Sequence, residues 1–402
     1  MATLGVAALV SGCTTHAAGT PQQAPYRPLP LNSVTASMAT PVEDAIAYSP
    51  DGALAATRSQ TGLCITHTGS GSGDDEVCAD LGPAIGQALF SPDGSALAVV
   101  ESYQLSFRGR LWLVSTTNGH ARQVAWPAFA DAPATGGTDD RRTAPTRSSG
   151  SDPNPGNREP VAYLAVAWTE QGRLLALAAG MSGMAATDGS APGVNSDHLI
   201  SVDPTSGGLT DLGAVASGER RAAGTLVVGG GVALLTMLPD GNQPPQLLAV
   251  DLAARTTRAL TLRGDDVTNS SQVFPLAVAP DGASALLWLV DPVTLTQVPP
   301  ARLDMDTGAV SVLDGTRGLM PTAGAYSPDG SQLALIVRDT GQAGDQLLVM
   351  PAEGGDTRSL IRLAGDLTPG TGLRWTKTDV LVPEVLTGML SLDHLAPIRL
   401  SG

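Results

Sequence analysis

Short apolar runs follow one another along this chain, and turn residues rather than helical stretches separate them. After the turn phrase Tyr326–Gly330 an apolar run continues to Val337, and two further runs follow a Gly-rich gap, at Gln346–Met350 and Arg358–Ile361. Apolar runs that are bounded by Gly, Pro and Asp are typical of β-strands joined by tight turns. With the run that precedes the turn, this segment predicts four antiparallel strands in succession.

The same turn phrase recurs elsewhere in the chain. Near-copies of Tyr326-Ser327-Pro328-Asp329-Gly330 stand at Tyr48–Gly52, Phe90–Gly94 and Ala279–Gly282. Pro presets φ at the first turn position, and Asp and Gly suit the later ones, so each copy predicts a hairpin. The first two copies, and likewise the last two, lie roughly 40 to 50 residues apart, which indicates a repeat architecture.

Weaker copies fill the gaps between the strong ones, at Val166–Gly172, Leu226–Gly231 and Leu373–Asp379. Together the copies predict seven inner hairpins across residues 44 to 400. We therefore expect an all-β fold, a single β-propeller of four-stranded antiparallel blades, with seven blades favoured and six or eight left open. Leu31–Ser37 is a candidate for a closing outer strand.

The repeat from Tyr326 to Leu363 resembles the WD40-like repeat of TolB-type β-propellers, and the resemblance covers about nine-tenths of the chain. It implies the propeller fold but no particular activity, because one fold supports many functions. The chain as a whole is also similar to actinobacterial envelope lipoproteins.

The amino terminus indicates export. Leu4–Val10 is apolar and leads into Val10-Ser11-Gly12-Cys13, which resembles a bacterial lipobox and implies that Cys13 is lipidated. No Lys or Arg precedes this run and it is short for a signal peptide, so an incidental apolar start with a buried Cys13 remains the alternative. We expect a truncated signal peptide at 1–13, a flexible tether at 14–30, and the propeller at 31–402.

Two further cysteines, Cys64 and Cys78, flank a Gly/Ser/Asp-rich turn at Thr68–Asp75. Their near-symmetric positions would place them opposite each other on antiparallel strands, which predicts a disulfide. Two reduced thiols are the alternative. A disulfide favours an exported compartment, so we expect an extracytoplasmic protein, lipid-anchored or secreted.

The formal net charge of −15 argues against nucleic acid and against an anionic membrane surface as direct ligands. Membrane contact is expected only through the amino-terminal lipid. The expected partner is an envelope protein or glycan, bound by a monomer.

Topology indicates where that partner would bind. In a four-strand meander the first-to-second and third-to-fourth turns share one face of the propeller, which we call the turn face. The other loops and the connections between blades share the opposite face, the loop face, which carries most of the extra sequence. Binding residues are often on such loops.

The candidate contact residues on the loop face are Tyr103, Phe107 and Arg108, and Arg141, Arg142 and Arg147 within a disordered-looking insertion at 128–160. Tyr and Arg are residue types that anchor interfaces. The alternatives are that the aromatic residues pack on their own blade and that the insertion has no binding role.

Signals for catalysis are weak. The chain has no Gly-x-Ser-x-Gly elbow, and its five histidines are scattered without a zinc-ligand spacing. We predict no catalytic residue, no metal and no cofactor, and we expect a binding scaffold of the cell envelope. A channel-site enzyme or small-ligand sensor, similar to propeller lactonases or cyclotransferases, remains the alternative.

Overall fold

The structure is a computed structural model that describes residues 26–69, 76–102, 109–127, 161–180, 196–217, 222–237, 246–265, 267, 272–290, 299–339, 344–365, 371–385, 392 and 395–402. Within these residues every long regular element is a β-strand. None of them belongs to a helix long and apolar enough to span a membrane.

Five separate sheets of four antiparallel strands form clear propeller blades. In each blade the strands pair in chain order, so the first strand is innermost and the fourth is outermost. The bounds are β6 Ile85–Phe90, β7 Ala96–Glu101, β8 Leu111–Ser115, β9 Ala121–Gln123; β10 Val161–Trp168, β11 Leu174–Gly180, β12 Ser196–Val202, β13 Leu209–Ser217; β14 Ala222–Gly229, β15 Val232–Met237, β16 Gln246–Asp251, β17 Thr256–Leu260; β18 Gln272–Val278, β19 Ser284–Val290, β20 Ala301–Asp304, β21 Val310–Val312; β22 Leu319–Tyr326, β23 Gln332–Asp339, β24 Asp345–Pro351 and β25 Arg358–Arg362.

The remaining strands form one eight-stranded sheet that contains both ends of the described chain. The bounds are β1 Thr35–Met38, β2 Ala45–Tyr48, β3 Leu54–Arg58, β4 Gly62–His67, β5 Val77–Asp80, β26 Thr371–Trp375, β27 Val380–Val385 and β28 Ile398–Ser401. Strand β1 pairs with β28, which confirms that the segment around Leu31–Ser37 supplies a closing outer strand.

The blade count corrects the prediction of seven. Five blades are separate sheets, whereas the other eight strands are merged. The merger depends on one ladder pair, because the strand pairing between β2 and β27 consists of Ala47 opposite Glu384 in the part of the chain that the structure describes. The predicted inner hairpins are present, since each copy of the turn phrase, strong or weak, joins two paired antiparallel strands.

The turn phrase folds through its own polar side chains. In the first copy the Ser49 hydroxyl donates a hydrogen bond to Asp51 Oδ1 over 2.6 Å and accepts one from Leu54 N over 2.8 Å. The copies at Ser91 and Ser327 make the same two bonds. The final glycine of each has a positive φ, 72° at Gly52, which only glycine adopts readily.

Small aliphatic side chains fill the space between neighbouring blades. One buried cluster joins β2–β5 to the next blade and includes Ala56, Leu63, Phe90 and Leu97. Because the chain is only 3% aromatic, packing depends mainly on Ala, Val and Leu.

An arginine on the outermost strand also ties one blade to the next. Arg122 on β9 donates to the carbonyls of Pro204 and Thr205, in the turn between β12 and β13. Arg258 on β17 makes the equivalent bonds to Met305 and Asp306, in the turn between β20 and β21.

Candidate functional site

The predicted lipidation residue and all six predicted contact residues lie outside the described residues. These are the lipidation candidate Cys13 and the contact candidates Tyr103, Phe107, Arg108, Arg141, Arg142 and Arg147. They therefore remain predictions.

The predicted disulfide is present between Cys64 on β4 and Cys78 on β5. The two residues are direct partners across the strand pair, with their Cα atoms 4.0 Å apart. Cys64 is buried, whereas Cys78 is exposed on the outermost strand.

Ion pairs hold the strand ends on the two sides of the predicted contact loop 103–108, and those on the two sides of 340–343 between β23 and β24. Glu101 at the end of β7 is buried and pairs with Arg110, and Arg110 is also 5.2 Å from the centre of the Trp112 ring. In the blade formed by β22–β25 the basic residue comes from the second strand and the acidic residue from the third. Arg338 on β23 contacts the buried Asp345 on β24 over 3.0 Å. These pairs give the loop face rigid anchor points.

A cavity of about 620 Å³ lies at the mouth of the central channel on the turn face. Its wall is built by the innermost strands, whose apolar side chains line the channel. Among them are Leu89, Val166, Leu226, Leu276, Ala325 and Leu373. A cavity of this size and apolar character is typical of small-ligand sites.

Two tryptophans line the cavity, and both have satisfied indole N–H groups. Trp168 Nε1 donates to the Leu89 carbonyl over 2.9 Å, and Trp375 Nε1 donates to Asp379 Oδ1 over 3.1 Å. These bonds fix the two rings against neighbouring elements. Trp168 is half-buried, so part of its ring is left for a ligand, whereas Trp375 is buried and belongs to a core cluster.

Charged side chains surround the mouth. Asp51, Asp93 and Glu170 come from three successive hairpins, whereas Lys377 lies on the β26–β27 turn. Hydrogen bonding from Ser91 is the main influence on Asp93, and it lowers the pKa of that carboxyl below its ordinary value. For Asp51 burial acts in the opposite direction, but hydrogen bonds from Ser49 and Ala53 N outweigh it and the pKa is again lowered.

Arg374 also lines the cavity and forms an ion pair with Glu384. Its Nε lies 2.9 Å from Glu384 Oε1, although the N–H is not aligned for a hydrogen bond. Its Nη2 is buried and has no hydrogen-bond partner among the described residues.

A second, open cavity of about 660 Å³ adjoins the first between two blades. Both cavities are lined by Pro92, Asp93, Trp168 and Glu170. These four residues therefore form a wall shared by the two cavities, which we call the Trp168 wall.

The sequence predicts binding on the loop face, so the cavity on the turn face was not anticipated. The weak copies of the turn phrase contain the sequence feature that could have indicated this cavity. Where the copies at Tyr48, Phe90 and Tyr326 have an aromatic residue followed by Ser and Pro, the copy at Trp168 has Trp-Thr-Glu and the copy at Trp375 has Trp-Thr-Lys. The departures from the repeat thus supply the two rings and two of the charges at the mouth.

Among the described residues, one set of three potential metal ligands lies close together, namely Cys64, Glu76 and Cys78. Its two sulfur atoms are joined in the disulfide, so they are not thiolate ligands in this state.

No family model matches the chain and no curated protein matches it. Solved structures do resemble it. Hydrazine synthase from Kuenenia stuttgartiensis is 13% identical with a TM-score of 0.50, and the match covers 88% of this chain and 97% of that one.

The Cps50 (Swd1) β-propeller domain from Myceliophteria thermophila is 11% identical over 91% of this chain and 98% of that one, with a TM-score of 0.48. TolB from Acinetobacter baumannii is 15% identical with a TM-score of 0.39, over 79% of this chain. The match spans 63% of the length of that TolB. At 13% identity the match to hydrazine synthase shows the fold alone, and it agrees with the β-propeller blades of this chain.

Proposed function

We propose that this chain is a non-catalytic binding protein of the cell envelope, and that the channel mouth on the turn face is its binding site. The observation that carries the proposal is the cavity of about 620 Å³, with its apolar wall, two tryptophans and charged rim. An apolar pocket with a few convergent polar groups is the usual form of a binding site.

The mouth is held in shape before any ligand arrives. Gln87 exchanges two hydrogen bonds with the backbone of Val166 in the next blade, over 2.9 and 3.2 Å. Trp168 bonds back to Leu89 in the preceding blade. A preformed site favours affinity, because little ordering entropy is lost when the ligand binds.

Two features support export. The disulfide between Cys64 and Cys78 is typical of proteins that fold in oxidising compartments. The lipobox resemblance around Cys13 adds lipid anchoring to this proposal. Mass spectrometry of the mature protein from its host should show a diacylglyceryl mass on Cys13. A free Cys13 thiol or a retained Met1 would exclude the anchor but not the binding function.

The binding proposal is tested by crosslinking and pull-down from the native envelope with three proteins. The first is the intact chain, the second carries Glu170→Lys at the mouth, and the third has shortened loops at 103–108 and 128–160. The loop variant retains Gly109 and Arg110, because Tyr163 N donates to the Gly109 carbonyl and Arg110 pairs with Glu101.

Loss of a specific partner in the Glu170→Lys protein alone would assign binding to the turn face. Loss in the loop variant alone would assign it to the loop face, as the sequence predicts. If no partner is captured by the intact chain, a small-ligand sensor becomes the better candidate, and the size of the cavity favours that second function.

A further inference from the structure

The Trp168 wall combines an aromatic ring with two carboxylates. Trp168 is the last residue of β10 and Glu170 lies in the turn that follows it, whereas Asp93 belongs to the turn of the preceding blade. All three line both cavities at the mouth. The Trp168 indole N–H is already bonded to Leu89, so the ring offers its π surface rather than a donor.

The charges around the cavity are unevenly placed. Its lining contains four acidic side chains (Asp51, Asp93, Glu170 and Glu384) and two basic ones (Arg374 and Lys377), so their net charge is −2. Arg374 pairs with Glu384, and Lys377 lies on the hairpin that neighbours Asp51. Asp93 and Glu170 are therefore the acidic residues that line both cavities together with Trp168, and the Asp93 carboxylate also accepts hydrogen bonds from the Ser91 and Ser95 hydroxyls.

Basic groups also occur on the second cavity, at His120 and Arg122. The Arg122 guanidinium donates to the carbonyls of Pro204 and Thr205, and these bonds direct its donors to the neighbouring blade. Among the ion pairs of the described residues, none joins Arg122 to Glu170, which is exposed. The charge of Glu170 is therefore not neutralised by Arg122.

We propose that the Trp168 wall binds a cationic group carried on an aliphatic stem, with the cation at Trp168, Asp93 and Glu170 and the stem in the apolar channel. A cation is attracted to the face of a Trp ring and to nearby carboxylates. The channel side chains Leu89 and Val166 offer apolar surface for the stem. This inference rests on the proposed binding function of the mouth.

The stem and cation could belong to a free alkylammonium compound or to a lysine side chain of a partner. Isothermal titration calorimetry with hexyltrimethylammonium tests the first source, and a blocked alanine pentapeptide with a central lysine tests the second. The matched probes are 1-hexanol, which lacks charge, and hexanoate, which has the opposite charge. We expect one or both cations to bind, with affinity that falls as salt is raised.

Two variants locate the site. Glu170→Gln keeps the shape of an exposed side chain and should weaken cation binding roughly two- to fivefold, as for an exposed ion pair. Trp168→Leu should weaken it about tenfold through loss of the cation–π contact. The control is Asp306→Asn, which removes one negative charge from the turn face but lies outside the cavity lining, and it should leave binding unchanged.

Equal weakening by Asp306→Asn and Glu170→Gln would overturn the proposal, because the effect would then come from overall charge. Preferential binding of hexanoate would also overturn it, and would indicate the buried Nη2 of Arg374 instead. Equal binding of 1-hexanol and the cation would reject the cation inference but retain the cavity as a binding site. Binding of none of the probes would reject it too, while the pull-down would still decide the proposed function independently.

Discussion

At the scale of single residues, the serine and aspartate of the turn phrase determine the local structure. The Ser91 hydroxyl donates to Asp93 Oδ1 over 2.6 Å and accepts from Ala96 N over 3.0 Å, which closes the turn around one side chain. The copy at Ala279 lacks the hydroxyl. It keeps the backbone hydrogen bonds of the turn, but of the side-chain bonds common to the three serine copies it retains only the one from Ala283 N to Asp281 Oδ1. The protein therefore contains the same turn with and without the serine hydroxyl, which allows the two to be compared.

Removing or adding this hydroxyl should change stability in opposite directions. Ser91→Ala loses two hydrogen bonds, one of them to a charged group, and should lower the free energy of unfolding by about 1 to 2 kcal/mol. Ala279→Ser restores the repeat pattern and should raise it by about 0.5 to 1 kcal/mol. Urea unfolding of the three proteins measures both effects. Destabilisation by both substitutions would show that the bonds of the turn do not control stability here.

The same turns predict a loss of stability in acid. The pKa values of Asp51, Asp93 and Asp329 are lowered in the folded protein. A lowered folded pKa stabilises the protein above the unfolded pKa of about 3.9, and this stabilisation is lost as the pH falls through the folded value.

Ser91→Ala should therefore destabilise the protein most at neutral pH, and the difference from the wild type should shrink below about pH 4. Unfolding in urea from pH 7 to pH 3 measures this difference. A difference that stays constant over the range would show that Ser91 does not influence the ionisation of Asp93.

At the scale of elements, the hairpins could be predicted because each turn phrase is local in sequence. The four strands predicted after Tyr326 are present as β22–β25. The weak copies also form hairpins, with Thr169 and Thr376 in the place of serine, each accepting a backbone hydrogen bond through its hydroxyl oxygen. The sequence could not predict that the Trp and charged residues of these copies line the same cavity, because they lie on hairpins that are far apart in the chain.

The disulfide should stabilise the hairpin of β4 and β5. It closes a loop with a sequence separation of 14 residues, for which chain entropy predicts about 3 kcal/mol. The double variant Cys64→Ala and Cys78→Ala should lose this stability, and hydrogen exchange should accelerate first in β5, the outermost strand. Adding reductant should destabilise the wild type and leave the variant unchanged.

Alkylation without reductant provides the direct check. The exported wild-type protein should leave both Cys64 and Cys78 unlabelled under denaturing conditions. Labelling of both would contradict the disulfide in the native compartment, and with it the support for export.

At the scale of the whole molecule, the ring is closed by the amino-terminal segment. Besides the β1–β28 pairing, Gln332 Nε2 donates to the Leu29 carbonyl over 2.6 Å, and Tyr26 donates to Asp379 over 2.7 Å. Burial, followed by this bond, raises the pKa of the Tyr26 phenol above its ordinary value. Arg358 donates to the carbonyls of Leu31 and Asn32, just before β1.

Arg358→Gln should weaken this closure. Hydrogen bonds from a charged donor contribute about 1.5 to 3 kcal/mol, so the variant should unfold at lower urea and be cleaved faster by protease within residues 26–38. Arg258→Gln is the matched control, because Arg258 makes the same type of bond between two blades that are consecutive in the chain. Equal acceleration of cleavage at residues 26–38 in both variants would show that Arg358 has no special role in closure.

The β-hairpins, their order within a blade and the position of the disulfide could all be predicted from the sequence, because each depends on residues close together in the chain. The pairing of β2 with β27, which joins two groups of strands into one sheet, and the common wall of Asp93, Trp168 and Glu170 became evident only in the folded structure. These features depend on ring closure, which brings hairpins from different blades around one channel. The repeat predicts the strands and turns of each blade. The packing of the blades around the channel determines which of the residues that differ from the repeat line the same cavity.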